Sequence, residues 1–409
     1  MKPGKKKQKI LMLGGSHFQI PAILYAREVG NYVVTCDYLP DNPGHQYAHE
    51  YYNVSTTDKE AVLELAQKLE IDGIVAYASD PAAPTAAFVA EKMSLPGNPF
   101  DSVKILTEKD LYRDFLHQNG FNSPPVLSCR SYDEIKKEVL RLNYPVVVKP
   151  VDSSGSKGVT KVDKALDLKY AVVEALKYSR CKRFVVEGFI RKKYPQLDGD
   201  IFVYDGKIIA CYLGDQGNDD IVNPFVPASI NYPSLLPRHF HEKIEMELQR
   251  AIDLLKMNFG GFNIEVIIDQ EDRIHLLEIG PRNGGNCIPD IIKYASNVDM
   301  IKLTIDSSLG IPLAEIQPKP IQQFYTTYVV HSDRDGVFDG VLVDDAIAPH
   351  VLEIRMFVKP GDGVRKFMGS NCTLGIGLLG FPTKEVRDEK MSRITQLISV
   401  VTRDMEMKA

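Results

Sequence analysis

The stretch GGFNIEVIIDQEDRIHLLEIGPRNGGN, Gly260 to Asn286, decides how the chain is read. Two apolar runs flank the polar DQEDR, the pattern of a β-hairpin. With the turn centred on Glu271 and Asp272, Glu265 falls directly opposite Glu278. Opposed residues place their Cβ atoms roughly 4.5–5.5 Å apart, and like charges there repel. An otherwise apolar hairpin does not favour two apposed glutamates without compensation. A shared Mg2+ (or Mn2+), a hard cation that combines carboxylate with phosphate oxygens, supplies it. The competing reading is a shifted register with one glutamate in water. Arg282 follows the second run, where its planar donor fork can bind a phosphate or an acyl phosphate. The glycines around it let ligand and backbone approach closely.

A second stretch, YPVVVKPVDSSGSKGV from Tyr144 to Val159, carries the opposite charge. Val146 to Val148 are β-branched and read as a buried strand. Lys149 is out of place there unless its ammonium meets an anion. The Ser/Gly segment that follows suits a loop whose backbone N–H groups approach a phosphate. Together the two stretches give the cationic and the metal side of a triphosphate site. This is no Walker A loop, since GxxxxGK[ST] is absent, and no kinase HRD or DFG set occurs.

Outward from these stretches, strand and helix signals alternate. KILMLGG, YVVTCD and IDGIVAY read as strands separated by helices, a small parallel sheet reaching about Gly97. LGGSHFQ invites a dinucleotide reading, but Gly14-Gly15 is not GxGxxG, and Gln19 stands where a packing glycine is wanted. A turn at the carboxyl edge of the sheet, lining a substrate pocket, fits better. Ser79 and Asp80 lie at the corresponding edge of a later strand, as substrate-site candidates or as a turn cap. A β-rich portion extends from the prolines of IPLAEIQPKP to about Phe381, and TKEVRDEKMSRITQLISVV reads as a closing amphipathic helix.

The 409 residues are enough for two or three domains with real cores. A net charge of −5 advertises no nucleic acid, and the lysine cluster MKPGKKKQK reads as a solvated tail. No run approaches the length of a membrane span, and the N-terminus lacks the apolar core of a signal peptide. Six scattered cysteines without a CxxC pair fit reduced thiols and a cytoplasmic setting.

The ordered succession TEKDLYRDFLHQNG, YPVVVKP, DSSGSKGV, FVVEGFI, NIEVII and LLEIGPRNGG resembles the ATP-grasp superfamily over about residues 98–310. The branch it is most similar to is the carboxylate–amine (amino-acid) ligases, with similarity also to carbamoyl-phosphate-synthase-like and biotin-carboxylase-like enzymes. The resemblance implies an α/β and α+β multidomain fold. A Rossmann-like parallel α/β domain over 1–97 precedes an ATP-grasp domain over 98–310, whose mobile lid covers about 121–187. A C-terminal β-rich lobe over 311–409 completes it.

It also implies roles. Lys109 resembles the first phosphate-binding basic residue, and Lys149 the strand lysine that reaches the α-phosphate and the adenine edge. Ser153, Ser154, Gly155, Ser156 and Gly158 match the lid loop over the β- and γ-phosphates, with Lys157 either on the γ-phosphate or in solvent. Glu187, Gly188, Phe189 and Ile190 match the linker that reads adenine. Asp200 is similar in place to the residue on the ribose hydroxyls, with Asp198 its rival. Glu265 and Glu278 match the magnesium carboxylates, and Arg282 the arginine that steadies the acyl phosphate. One departure stands out: Gly280 occupies the place of a common asparagine ligand, so that a metal ligand is missing or another group such as Asn283 stands in.

The implied activity is ADP-forming ligation, in which ATP and Mg2+ activate a small carboxylate, an amino acid among them, for attack by an amine. Alternatives are a carbamoyl-phosphate-synthase-like enzyme using bicarbonate and a non-catalytic ATP-binding regulator. His331, Arg355 and Arg365 are open to a second carboxylate or to a solvated face. The expected partners are small-molecule carboxylate and amine substrates and a second copy in a homodimer, with no nucleic acid and no membrane.

Overall fold

The structure, a computed structural model, describes residues 7–138, 143–219 and 222–404. Of the lysine-rich tail, residues 1–6 lie outside the described residues.

The N-terminal part is a four-stranded parallel sheet in the order Glu50–Tyr52, Tyr32–Cys36, Lys9–Leu13, Gly73–Val75. Ile10, Leu11, Val33 and Val34 are fully buried, as strands covered by helices on both faces must be. The helix Lys59–Leu69 shows how sequence makes one such cover. Asp58 caps it by accepting the Ala61 N–H at 3.1 Å, and Val62, Leu65, Ala66 and Leu69 form its buried stripe. The short strand Glu50–Tyr52 carries no apolar run and was not expected. Gly15 is small for packing: a Cβ there would lie 2.2 Å from the His45 ring.

Helices Phe100–Thr107 and Lys109–Gln118 lead to a second, antiparallel sheet: Val126–Cys129, Phe184–Gly188, Val146–Pro150, Thr160–Val162. The valine-rich strand is buried on one face only. Val146 and Val148 face the helix Leu168–Tyr178, while Val147 and Lys149 face the cavity described below. That is how a lysine sits in a valine run.

The third sheet holds eight strands, in the order Ile274–Gly280, Phe259–Ile268, Leu197–Tyr204, Lys207–Asp219, Asn223–Tyr232, Phe324–Val330, Gly375–Phe381, Val351–Met356. The helix Arg238–Leu254 lays Phe240, Ile244 and Leu248 against Ile201, Val203 and Phe262. Each such side chain contributes roughly 1.5–3 kcal/mol by leaving water. The last three strands come from beyond position 310. They join the sheet where Ser229 to Tyr232 pair with Tyr328 to Tyr325. Strands from both sides of the boundary expected at 310 thus share this one sheet.

The closing segment also differs from expectation. A helix covers Lys384–Met391 and a single turn covers Ile394–Leu397, but Ile398–Arg403 is a strand pairing with Gly336–Val343. Ile398, Val400, Val401 and Thr402 are β-branched, and an open strand edge outweighs the helical period. Among the described residues no helix is long and apolar enough to cross a membrane.

Candidate active site

The hairpin forms, and Glu265 pairs with Glu278. The register is reached differently from the simple count. Near the turn Val266 pairs with Leu276 and Ile268 with Ile274, one residue out of step with the pairs beyond. A β-bulge at Leu277 absorbs the difference and lets Leu277 and Glu278, neighbours in sequence, both face the cavity. The bulge is pinned from behind: Tyr112 Oη donates to the Leu276 carbonyl at 3.1 Å and Arg113 Nη1 to the Leu277 carbonyl at 3.0 Å.

Asp198, on the next strand, pairs with Glu265 from the other side, so three carboxylates run in a row across the sheet. Burial, then the charges of Glu278 and Asp198, push the Glu265 carboxyl up to about 8. Burial likewise lifts Asp198 to about 6, against the 3.0 Å hydrogen bond it accepts from Asn263 Nδ2. Gln196 Nε2 holds Glu265 Oε2 at 2.9 Å. Among the described residues no group of three or more His, Cys, Asp or Glu is arranged to ligate one ion. Two facing carboxylates, one destabilised by the other's charge, fit a divalent ion that takes its remaining ligands from phosphate and water.

Across the cavity stand the cations. Lys149 Nζ lies 3.1 Å from Glu187 Oε1, while Arg113 Nε and Nη2 donate to Glu187 Oε2 at 3.2 Å each. Burial alone would raise the Glu187 carboxyl, yet Arg113 and Lys149 hold it down to about 2. Its side chain is held in this triad at the cavity wall. The N–H groups of Gly188 and Phe189 are also spent, on the carbonyls of Pro125 and Pro145. Lys109 Nζ donates to the Ser153 carbonyl at 2.6 Å, tying the helix start to the Ser/Gly loop. The carbonyl of Lys157 accepts Ser153 Oγ at 3.3 Å, but its ammonium has no hydrogen bond or ion pair among the described residues, and burial lowers it below the ordinary value.

Arg282 is anchored by a residue far away in sequence. Its Nε and Nη2 donate to the two carboxylate oxygens of Asp80, both at 2.7 Å, and Nη1 donates to the Asn283 carbonyl. Burial opposes the Asp80 charge, but the guanidinium wins and holds the carboxyl below its usual range. This pair explains Gly280, where a Cβ would come within 3.0 Å of Asp80 Oδ1. Asn283 does not replace the missing asparagine: it is buried, accepts from Thr304 Oγ1 at 2.8 Å and packs beneath Gly261.

One cavity of about 1090 Å³ gathers these groups. Lys109, Lys149, Lys157, Glu265, Glu278 and Arg282 line it, as do Ser153, Ser154, Gly155 and Ser156 of the loop and 187–190 of the linker. Two expected residues are elsewhere. Gly158 turns at φ +73° with Tyr178 and Pro150 packed against it. Asp200 is fully buried beneath the cavity floor, where both its oxygens accept the Gly284 N–H at 2.9 Å. Its rival Asp198 is the one that lines the cavity. His331 pairs with Asp219, Arg355 with Asp290 and Glu353, and Arg365 is exposed, so none of the three reaches the cavity. Arg113, Gln196 and Asn263 were not anticipated. Arg113 could have been found four residues after Lys109, on the same helix face. Gly155 meets the C-terminal segment, since a Cβ there would lie 2.1 Å from Ser370 Oγ, and Phe367, Ser370 and Thr373 complete the wall.

Residues 121–210 match the family model described as D-ala D-ala ligase C-terminus. A formate-dependent phosphoribosylglycinamide formyltransferase of Rhodococcus jostii is 26% identical over 384 residues, 90% of each chain. The crystal structure of an L-amino acid ligase from Bacillus licheniformis superposes with a TM-score of 0.81 at 22% identity, covering 98% of this chain and all of that one. The biotin carboxylase domain of a Hydrogenobacter thermophilus 2-oxoglutarate carboxylase, solved with MgADP and bicarbonate, superposes at 0.76 and 15% identity over 98% of this chain and 92% of that one. The likeness runs over nearly the whole chain, and the fold is that of the ATP-grasp enzymes. The enzymes of this fold to which it is similar are ADP-forming ligases that use ATP and Mg2+ on small-molecule substrates.

Proposed function

We propose that the protein activates a small carboxylate, an amino acid or an acid of similar size, as an acyl phosphate that an amine then attacks. The observation that carries this is the opposition, within one cavity, of paired carboxylates at Glu265 and Glu278 to the uncommitted Lys157 and the anchored Arg282. Glu265 and Glu278 would hold Mg2+, which would supply neutralisation of phosphate charge.

The chain's own residues do the rest by position. Lys149 and Lys109 are fixed by Glu187 and by Ser153, so they meet a nucleotide's phosphates without reorganising. Lys157, with three free donors, is placed to follow the γ-phosphoryl group as a carboxylate oxygen attacks its phosphorus and the bond to ADP breaks. Arg282 keeps one face on Asp80 and can hold the acyl phosphate with its remaining N–H groups. The amine nitrogen then bonds to the acyl carbon, and phosphate departs. Gly155 against Ser370 seals the loop over the site, which keeps water from the acyl phosphate.

The relatives support this scope: one is named for formate and phosphoribosylglycinamide, and another joins amino acids by its name. The test is a phosphate-release screen over carboxylate and amine pairs with mass detection of the product. ADP, phosphate and an amide-linked product are expected only when both substrates are present. Phosphate release with bicarbonate alone would give the carbamoyl-phosphate reading instead, and nucleotide binding without turnover on any pair would leave a regulator.

A further inference from the structure

The strand that carries Glu278, Ile274–Gly280, lies at the edge of the eight-stranded sheet and pairs only with Phe259–Ile268. At the bulge its ladder is interrupted, so backbone carbonyls there need other donors. The helix Lys109–Gln118 supplies them. Lys109, Tyr112, Arg113 and Leu116 fall at i, i+3, i+4 and i+7, on one face of that helix. Leu116 packs into the core beneath the sheet. Tyr112 and Arg113 donate to the carbonyls of Leu276 and Leu277, the two residues immediately before Glu278. The Arg113 guanidinium also lies 5.4 Å from the centre of the Tyr112 ring, so the two pins brace each other. Packing alone would be served by an apolar side chain. An arginine only 2% exposed is explained by the groups it bonds.

The same helix is fastened to the opposite side of the cavity. Arg113 Nε and Nη2 hold Glu187, which in turn holds Lys149. Lys109 holds the Ser153 carbonyl, Asp110 accepts from Ser128 Oγ at 2.9 Å, and Arg183 pairs with both Asp110 and Glu108. Ser128 and Glu187 belong to the four-stranded antiparallel sheet, and Arg183 immediately precedes its strand Phe184–Gly188. The helix is thus a joint between that sheet and the strand of Glu278. Arg113 bonds across the joint in both directions.

We propose that Tyr112 and Arg113 are positioning residues for the metal carboxylate: they hold the bulge that turns Glu278 toward Glu265, and Arg113 ties that setting to the Glu187–Lys149 wall. A slip of the bulge by one residue would turn Glu278 to the other face of the sheet. The inference rests on the ligase reading above in taking Glu265 and Glu278 as the magnesium pair, and it adds what sets their geometry.

The test is calorimetric binding of a non-hydrolysable ATP analogue to the full chain, once in EDTA and once in Mg2+. The ratio of the two affinities reads the metal side apart from the nucleotide side, and no turnover is needed. In the wild type Mg2+ should tighten binding, and Glu278→Gln should lose that gain. Tyr112→Phe removes one neutral hydrogen bond at nearly constant shape and should cut the gain about threefold, with the EDTA affinity unchanged. Arg113→Lys leaves a cation beside Glu187 without the fork that reaches Leu277, and should cut the gain about tenfold. Melting temperatures check that both variants fold, and Tyr112→Phe keeps the test intact if Arg113→Lys does not. A wild-type gain in folded Tyr112→Phe overturns the inference. So does a parallel loss of affinity with and without Mg2+, which is what a merely structural role would give. A wild type indifferent to Mg2+, or a gain retained in Glu278→Gln, overturns it as well. Failure of the ligase reading shows separately, as absent phosphate release with every substrate pair while the Mg2+ gain and its losses hold.

Discussion

The two walls of the cavity were built by opposite means. The wall carried by the central sheets is dense in charge, with Lys109, Lys149, Arg113, Glu187, Glu265 and Glu278 arranged around one volume. The N-terminal wall carries only the carboxylates Asp37 and Asp80 and is otherwise shaped by small polar groups, Ser16 donating to Gln19 and Asn42 to Asp37. Charge in an apolar strand is conspicuous in a sequence because it needs a partner or a ligand. Small polar groups that satisfy themselves leave no such trace. On the proposed function, the first wall meets the nucleotide and its metal, and the second meets a substrate.

The charged wall should break most completely at its metal side. Glu278→Gln keeps the shape and removes the charge, and kcat/KM for phosphate release should fall on the order of 10²–10³-fold. Raising Mg2+ should not restore it. Full activity in this variant would refute the assignment of the glutamate pair to the metal.

The seam between the walls should give next. Asp80→Asn leaves the Arg282 guanidinium buried beside a neutral amide, and losing one partner of a buried pair costs about 3–5 kcal/mol. Denaturant unfolding should show that loss. As a positioning residue Asp80 should also lower kcat more than it raises KM for ATP. An unchanged kcat at reduced stability would make the pair structural alone.

How far the sequence could be read follows the same division. Lys149 and the facing glutamates were legible from period-two alternation and anomalous charge. Even so, the hairpin reached its register through a bulge at Leu277 that no residue type announces. Asp80 and Arg282 are 202 positions apart, and nothing local links them. Asp198 and Asp200 point to one face of one strand, and the Gly284 N–H decides that Asp200 is sealed while Asp198 stays in the cavity. The prolines after Gly310 were read as the start of a separate β-rich lobe. That the chain beyond them returns to pair with residues 229–232 is a non-local choice, invisible to local pattern. At the C-terminus the helical period ran on past the point where β-branched residues could close a sheet edge instead.

Asp200 allows the smallest and most specific check, because its energetics are set by burial rather than by ligand. Burial pushes its carboxyl up to about 7, against the stabilising Gly284 N–H. An aspartate in the unfolded chain titrates near 4. The folded state therefore binds the extra proton between these values, and the stability it contributes is present at low pH and lost as pH rises through about 7. Between pH 5 and 8 the loss is on the order of 2 kcal/mol. Asp200→Asn has no proton to lose and can still accept the Gly284 N–H through its amide oxygen. In metal-free buffer the variant should match the wild type near pH 5 and exceed it in melting temperature near pH 8. A parallel pH dependence in the two proteins would mean that Asp200 stays ionised in the fold, with Asn263 and Gly284 sufficient to hold its charge.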